Sequence, residues 1–332
     1  MNGPNETANQ HYVSQVEQRL NALNPSATPA NQRIFSFSLI DRENHTVTLD
    51  SPRGTLISRT LAFHDLFSFD VIGDKTRFNF EASFHQYETN MENHTTSFLQ
   101  KLDEGSVDIK EELLQIFISK FMNFLRNPYS IKKVLNNVGS ILNFHPTDPI
   151  VFAAYNAVLN GKKPQQAYLC TQLGISSEEY RMWLAALFMM FLRPAYDEPN
   201  MMEGLVKGIF EAPSGFPMVC VYRYTGEHAD KRCLLSDRGH YSPLPQPHVA
   251  FGFNLTATAF IEYMFAAVEE IPLPYAPRPD ILELYRRQTK NVRVIPFIND
   301  LQALTRYNRN VIYQCHHAVY SSSRFIYGST QR

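Results

Sequence analysis

The sequence is short of the features that usually betray a class. Its four cysteines, Cys170, Cys220, Cys233 and Cys315, contain no Cys-x-x-Cys pair. They are too few and too scattered for a disulfide scaffold, and reduced thiols with packing roles are expected. Gly226, Gly239 and Gly252 stand alone, so no loop is present that could cradle a phosphate or carry a dinucleotide fingerprint. No apolar run reaches the roughly 20 residues that span a bilayer. Arg193-Pro194 closes the richest one, Trp183 to Leu192, and Glu262 interrupts Phe251 to Ala267. Met1 to Gln10 is polar, without a basic start before an apolar stretch, which predicts no secretory leader and a cytoplasmic protein. An excess of one charge is missing too: 31 basic residues face 32 acidic ones, for a net charge of -1. That excludes wrapping nucleic acid through the overall field and leaves only local basic groups to do so.

What is abundant is apolar and aromatic. Hydrophobic residues make up 44% of the chain, with 24 Phe and 17 Tyr, the composition of a packed protein and not of a disordered one. Periodicity predicts a loose segment over 1–10, an N-terminal mixed and helical part over 11–145, a helical insertion over 146–194, and a C-terminal α+β part over 195–327 that shares a core with 11–145. The fold class expected is α+β, predominantly α-helical, with a small antiparallel sheet.

Within that plan, His11 to Leu23 reads as an amphipathic helix, and Arg33 to Leu39 with Thr46 to Leu49 as a hairpin turning at Asp41 to Asn44. Phe78 to Leu102 reads as one long helix carrying Glu81, Glu88 and Glu92, and Ile109 to Asn123 as another. Asp148-Pro149, Pro164 and Ser176 mark helix starts in the middle region. Met218 to Tyr224 and Cys233 to Leu235 read as two strands joined by Thr225 to Lys231, and Thr256 to Val268 is compatible with helix or strand. Ile281 to Arg287 and Phe297 to Tyr307 read as helices, and Arg309 to Tyr327 as a last helix, with or without a tail.

Several phrases, in this order, resemble a known family. Gln10-His11-Tyr12-Val13 is similar to its His-Tyr-Val-Pro-like opening, and Arg33-Ile34-Phe35 to the strand that follows. Tyr87-Glu88 resembles its glutamate-bearing helix, and Arg126-Asn127-Pro128 its arginine-polar-proline phrase. Leu234-Leu235-Ser236-Asp237, Phe251 to Thr256, and Ile298-Asn299 with Val311-Ile312-Tyr313 resemble its later words. On these grounds the chain resembles a divergent member of the domain of unknown function 4238 family. It departs where Ser14 replaces proline and Arg238-Gly239 replaces Asn-Pro, and the family brings no activity with it.

The resemblance singles out His11, Glu88, Asp237 and Asn299. A histidine that activates water beside carboxylates that hold a hard cation is the arrangement of a metal-dependent phosphodiesterase. His11, Glu88 and Asp237 are therefore the catalytic candidates, Glu88 and Asp237 the metal candidates, and Mg2+ or Mn2+ the implied ion. As an alternative, Arg309 and His316 lie two turns apart on the predicted last helix and loosely resemble the pair of helical ribonucleases of the nucleotide-binding-associated class. There Arg309 would hold the scissile phosphate and His316 the 2'-hydroxyl proton. His316 and His317, being adjacent, cannot turn both rings to one metal. Arg286, Arg287, Lys290, Arg293 and Arg306, interleaved with Phe297, Tyr307 and Tyr313, are candidates for nucleic-acid contact. Three readings stay open: a metal-dependent nuclease, as in a defence system; an interaction or assembly protein that docks a protein partner; and a metal-independent ribonuclease.

Overall fold

In the computed structural model the described residues are 7–72, 76–106, 108–194, 198–212, 215–243, 249–267, 283 and 292–331. Their helices are α1 (Gln15–Arg19), α2 (Glu81–Glu88), α3 (Met91–Asp103), α4 (Lys110–Arg126), α5 (Ile131–Val138), α6 (Pro149–Asn160), α7 (Gln166–Leu173), α8 (Ser177–Phe191), α9 (Met201–Glu211) and α10 (Leu301–Gln314). The chain is α+β and predominantly helical, with mostly antiparallel sheets.

Helix α4 organises the core because its sequence is apolar on too many sides for a surface helix. Leu113, Ile116, Phe117, Phe121, Met122 and Leu125 are all buried, and so are its polar residues from Ser119 to Arg126. Phe117 meets Phe210 of α9 and, from a sheet, Phe251, Phe253, Tyr263 and Phe265, with ring centroids 4.8 to 6.0 Å apart. On the other flank Trp183 of α8 donates from its indole N–H to the Leu125 carbonyl at 2.8 Å. One apolar core thus runs from Tyr12 through the middle helices to Tyr320.

Two larger sheets flank the helices. In one, Gly215–Arg223 lies between Ala259–Ala267, which returns antiparallel, and Arg293–Ile298, which is parallel. In the other, Arg33–Asp41 pairs with Thr46–Leu49 in the expected hairpin and, on its far side, with Ala318–Ser321. Leu235–Ser236 then adds to Ala318–Ser321. Met218 to Tyr224 and Cys233 to Leu235, read from sequence as neighbours, therefore enter different sheets.

The helix starts were marked correctly where a cap supplied the missing acceptor. Asp148 caps α6 ahead of Pro149, and Ser176 forms a capping box with Glu179. Asn200, which the sequence did not single out, does the same with Glu203 at α9. Boundaries moved where side chains compete with the backbone ladder. The helix expected over Phe78 to Leu102 is two, because Thr89 turns its hydroxyl back to the His85 carbonyl at 2.7 Å and Asn90 leaves the helical region. The helix expected from His11 shrinks to α1, since Asn9–His11 pairs as a strand with Ala62–His64 and Ser14 caps Glu17. Thr256 to Val268 resolves as the strand Ala259–Ala267. Phe297 belongs to a strand, with Asp300 capping α10 after it, and α10 stops at Gln314, so His316 lies beyond it. Of Ile281 to Arg287, only Glu283 is among the described residues.

A tight approach locks the strand Val249–Thr256, which pairs with Ala259–Ala267 in the first of the two larger sheets, to α10. Tyr241 and Gly252 exchange two backbone hydrogen bonds, and a Cβ on Gly252 would stand 2.0 Å from the Tyr241 ring. That ring cannot swing away, because its hydroxyl donates to Glu262 and its edge meets Tyr307 at 5.1 Å. Gly252→Ala is expected to cost about 3 kcal/mol in urea unfolding, the upper end for overpacking. Gly204→Ala, in the open first turns of α9 with nothing within 4 Å, is the contrast and should gain about 0.5–1 kcal/mol.

Candidate functional site

Lys120, Asn123 and Arg126 recur at three-residue spacing on α4, which puts them on one face of an otherwise apolar helix. That stripe meets α1. Glu17, fully buried, accepts from Lys120, also fully buried, and from Asn123. Loss of water raises the Glu17 carboxyl and lowers the Lys120 ammonium, and each partner opposes the shift of the other. One turn on, Arg126 donates to Asn123 Oδ1 from Nε at 3.1 Å and Nη2 at 2.8 Å. The same Nη2 lies 2.6 Å from Glu88 at the end of α2, and the guanidinium sits 4.9 Å above the Phe84 ring. Glu88 keeps 22% of its side-chain surface, so the ion pair opens to solvent at that end.

His11 and Glu81 stand about this pair. The Gln15 Oε1 accepts from Arg19 Nη2 at 3.0 Å, which turns the Gln15 amide N–H toward His11 Nδ1 at 3.4 Å. Nδ1 is then an acceptor and the ring proton sits on Nε2. Burial drives the imidazole down to about 4, Arg126 and Arg19 push the same way, and the Ile57 carbonyl and Glu88 oppose. Glu81, at the first turn of α2, is raised by burial to about 7, Glu88 adding to the rise and Arg126 opposing it. His11 Nε2, Arg19 Nε and Glu81 Oε1 are buried and have no hydrogen-bond partner among the described residues. Buried polar atoms are nearly always paired, and orphans on both His11 and Glu81, the two groups that feel Arg126 and Glu88, are unusual.

The residues expected from sequence divide around this centre. His11 and Glu88 come together in it. Asp237 lies next door, behind Asn127, whose amide donates to the Asp237 carbonyl at 2.8 Å. Its carboxylate accepts the backbone N–H groups of His316, His317 and Ala318 at 2.8, 2.6 and 3.0 Å, which anchors the strand Ala318–Ser321. Glu88 and Asp237 thus serve different partners. Among the described residues no group of three or more His, Cys, Asp and Glu is placed to hold a metal ion.

Arg309 and His316 do not share a helix face. Arg309 is exposed on α10 and donates to the Gly328 carbonyl at 2.8 Å, while His316 stacks on Tyr129 with centroids 4.1 Å apart. Asn299 takes a left-handed turn at φ 61° and accepts from the Thr225 N–H. Arg293 and Arg306 are exposed, and Arg286, Arg287 and Lys290 lie outside the described residues. Of the rings interleaved with them, Tyr307 is buried and Phe297 stacks on Tyr222 at 4.7 Å, so both serve packing. The four cysteines are free and buried, and burial pushes Cys220 up to about 11 and Cys315 up to about 12, which makes poor nucleophiles of them. Sequence reasoning missed Glu81, Arg19 and Gln15. The signal for Glu81 was its spacing of seven from Glu88, two turns along one helix face.

Two stability measurements probe this centre. Lys120→Met strands the Glu17 carboxylate in the core and should cost about 3–5 kcal/mol, of which the double variant with Glu17→Gln recovers the larger part. For Glu81 the folded pKa near 7 lies above the ordinary 4.5, so ionisation removes stability as pH rises from 4.5 through 7. Glu81→Gln cannot ionise. It should match the parent at pH 4 and exceed it by up to about 3 kcal/mol at pH 8, whereas equal stability at pH 8 would mean that the carboxylate is already satisfied. No protein-family model, curated protein or solved structure matches the chain, so the convergence of these side chains in space is what speaks for a site.

Proposed function

We propose that the chain is a nucleic-acid-processing enzyme, and that its centre of His11, Arg19, Glu81 and the Glu88–Arg126 pair cleaves RNA by acid–base catalysis. The observation that carries this reading is a buried imidazole and a buried carboxyl, the carboxyl with an Oε1 that has no hydrogen-bond partner among the described residues, which share Arg126 and Glu88 as charged neighbours, with Arg19 beside the imidazole. Each matches a task. A carboxyl with a pKa near 7 is half ionised at neutral pH and can accept a proton and release it again. A neutral imidazole can turn its N–H from the Ile57 carbonyl to a substrate oxygen without taking that oxygen's proton. Arg19 and Arg126 offset phosphate charge.

RNA asks least of such a centre, because its own 2'-hydroxyl is the nucleophile. As the bond from the 2'-oxygen to phosphorus forms, the hydroxyl proton passes to the Glu81 carboxylate. The bond from phosphorus to the 5'-oxygen breaks, and the leaving oxygen takes a proton from water at the open Glu88 end. The hydroxide left behind takes the proton from Glu81, which restores the carboxylate. The products are a 2',3'-cyclic phosphate and a 5'-hydroxyl. The order of family-like phrases in the sequence fits the reading, since His11, Glu88 and Arg126 each come from one of them.

Purified protein is incubated with single-stranded RNA, single-stranded DNA and duplex DNA, in EDTA and with Mg2+ or Mn2+. RNA should be cut in EDTA, with a rate inflection near pH 7 and a loss of about 10²- to 10⁴-fold in Glu81→Gln. Arg19→Ala should weaken substrate binding more than turnover. Cutting that demands a metal would overturn the acid–base assignment, and no cutting of any substrate, or full activity in Glu81→Gln, would overturn the reading as a whole.

A further inference from the structure

Beside the catalytic candidate lies a second group of side chains with no assigned task. Tyr129, two residues past Asn127, is half-buried and stacks flat on His316 at 4.1 Å and 22°. The exposed His317 ring meets both, at 4.1 Å from His316 and 5.6 Å from Tyr129. Three cations lie nearby: Arg238 and Arg42 both bear on the charge of His316, and Arg238 on that of Lys133. Arg238 follows Asp237, its Nε buried without a hydrogen-bond partner among the described residues. Lys133 of α5 is exposed, with Nζ 5.7 Å from the Phe124 ring. Arg42 spreads its guanidinium over the carbonyls of Tyr313, Cys315 and His316.

The charges are out of balance. Lys133 is lowered by loss of water and then by Arg238, and His316 by burial, then by His317, with Arg238 and Arg42 adding. Among the described residues, the one acidic group that registers at His316 is Asp237, and its carboxylate is committed to three backbone N–H groups. Cations that repel one another beside a spent carboxylate gain from an added anion. The exposed His317 ring gains from a planar base laid against it. A nucleotide has both parts.

We propose that Lys133, Arg238, His316 and His317 bind one nucleotide of a single-stranded nucleic acid, its phosphate on the two cations and its base on the histidine rings. The site adjoins the catalytic candidate through Tyr12, which follows His11 and meets Tyr129 edge-on at 5.6 Å. It rests on the nucleic-acid reading above for the choice of ligand, not for any step of cleavage. The bound nucleotide flanks the scissile one, so the site positions the strand and does not react with it.

The test reads binding in the Glu81→Gln background, where cleavage is removed. Anisotropy of a labelled oligouridylate should show binding that weakens about tenfold in His317→Ala and in Lys133→Glu, both exposed positions whose folding circular dichroism checks. The slope of log affinity against log salt should flatten by about 0.7 on loss of Lys133. Inorganic phosphate alone should bind far more weakly than the oligonucleotide. Unchanged affinity in both variants, preference for duplex over single strand, or selective binding of a phosphopeptide would each overturn the proposal. Binding without cutting by the parent drops the catalytic reading and keeps this one, and cutting with no effect of either variant does the reverse.

Discussion

The structure hangs on the buried contact between Glu17 and Lys120. Two full charges without water are tolerable only if each is held by the other and by further hydrogen bonds. Here Asn123 supplies the second bond to Glu17, then accepts two from Arg126, which closes on Glu88. The result is a polar spine that runs along α4 between apolar flanks. It fixes the rotation of α4 about its axis, because another rotation would turn a charge toward Phe210 of α9 or Trp183 of α8. A hydrophobic contact tolerates sliding. This spine does not.

The same spine explains why the catalytic candidates are poised as they are. Arg126 is close enough to both His11 and Glu81 to bias their protonation, and Glu88 biases it the other way. Burial sets the magnitude: it lowers the imidazole, which stays neutral through the neutral range, and raises the carboxyl, which is half ionised there. A carboxyl poised in this way beside an ion pair stays responsive to an incoming anion. Functional centres commonly sacrifice some stability in this way.

Much of the fold was legible before the structure was known. Where a local device settles the geometry, as Asp148-Pro149, Ser176 with Glu179 and the hairpin about Asp41 to Asn44 do, the sequence spoke plainly. It misled where pairing is remote. Nothing local in Leu235-Ser236 says that it will lie beside Ala318–Ser321 and not beside Gly215–Arg223. The short run Phe297-Ile298 has apolar spacing that suits either helix or strand, and only the parallel neighbour Tyr222–Arg223 decides it. For the site, His11, Glu88 and Arg126 stood out as words, but Asp237 stood out equally and turned out to be a backbone anchor. Residue type announces polarity. It does not say whether a carboxylate will meet a substrate or three amides.

The antiparallel contact between Arg33–Asp41 and Ala318–Ser321 has an implication for how the molecule comes into being. At a ribosome, nearly three hundred residues must emerge after the first strand before its neighbour exists. Through that interval one flank of a strand rich in Phe and Ile has unmet backbone groups, open to other nascent chains. Closing so wide a loop is slow, though its entropy grows only with the logarithm of length. The order in which the strands are made thus sets how long that flank stays open.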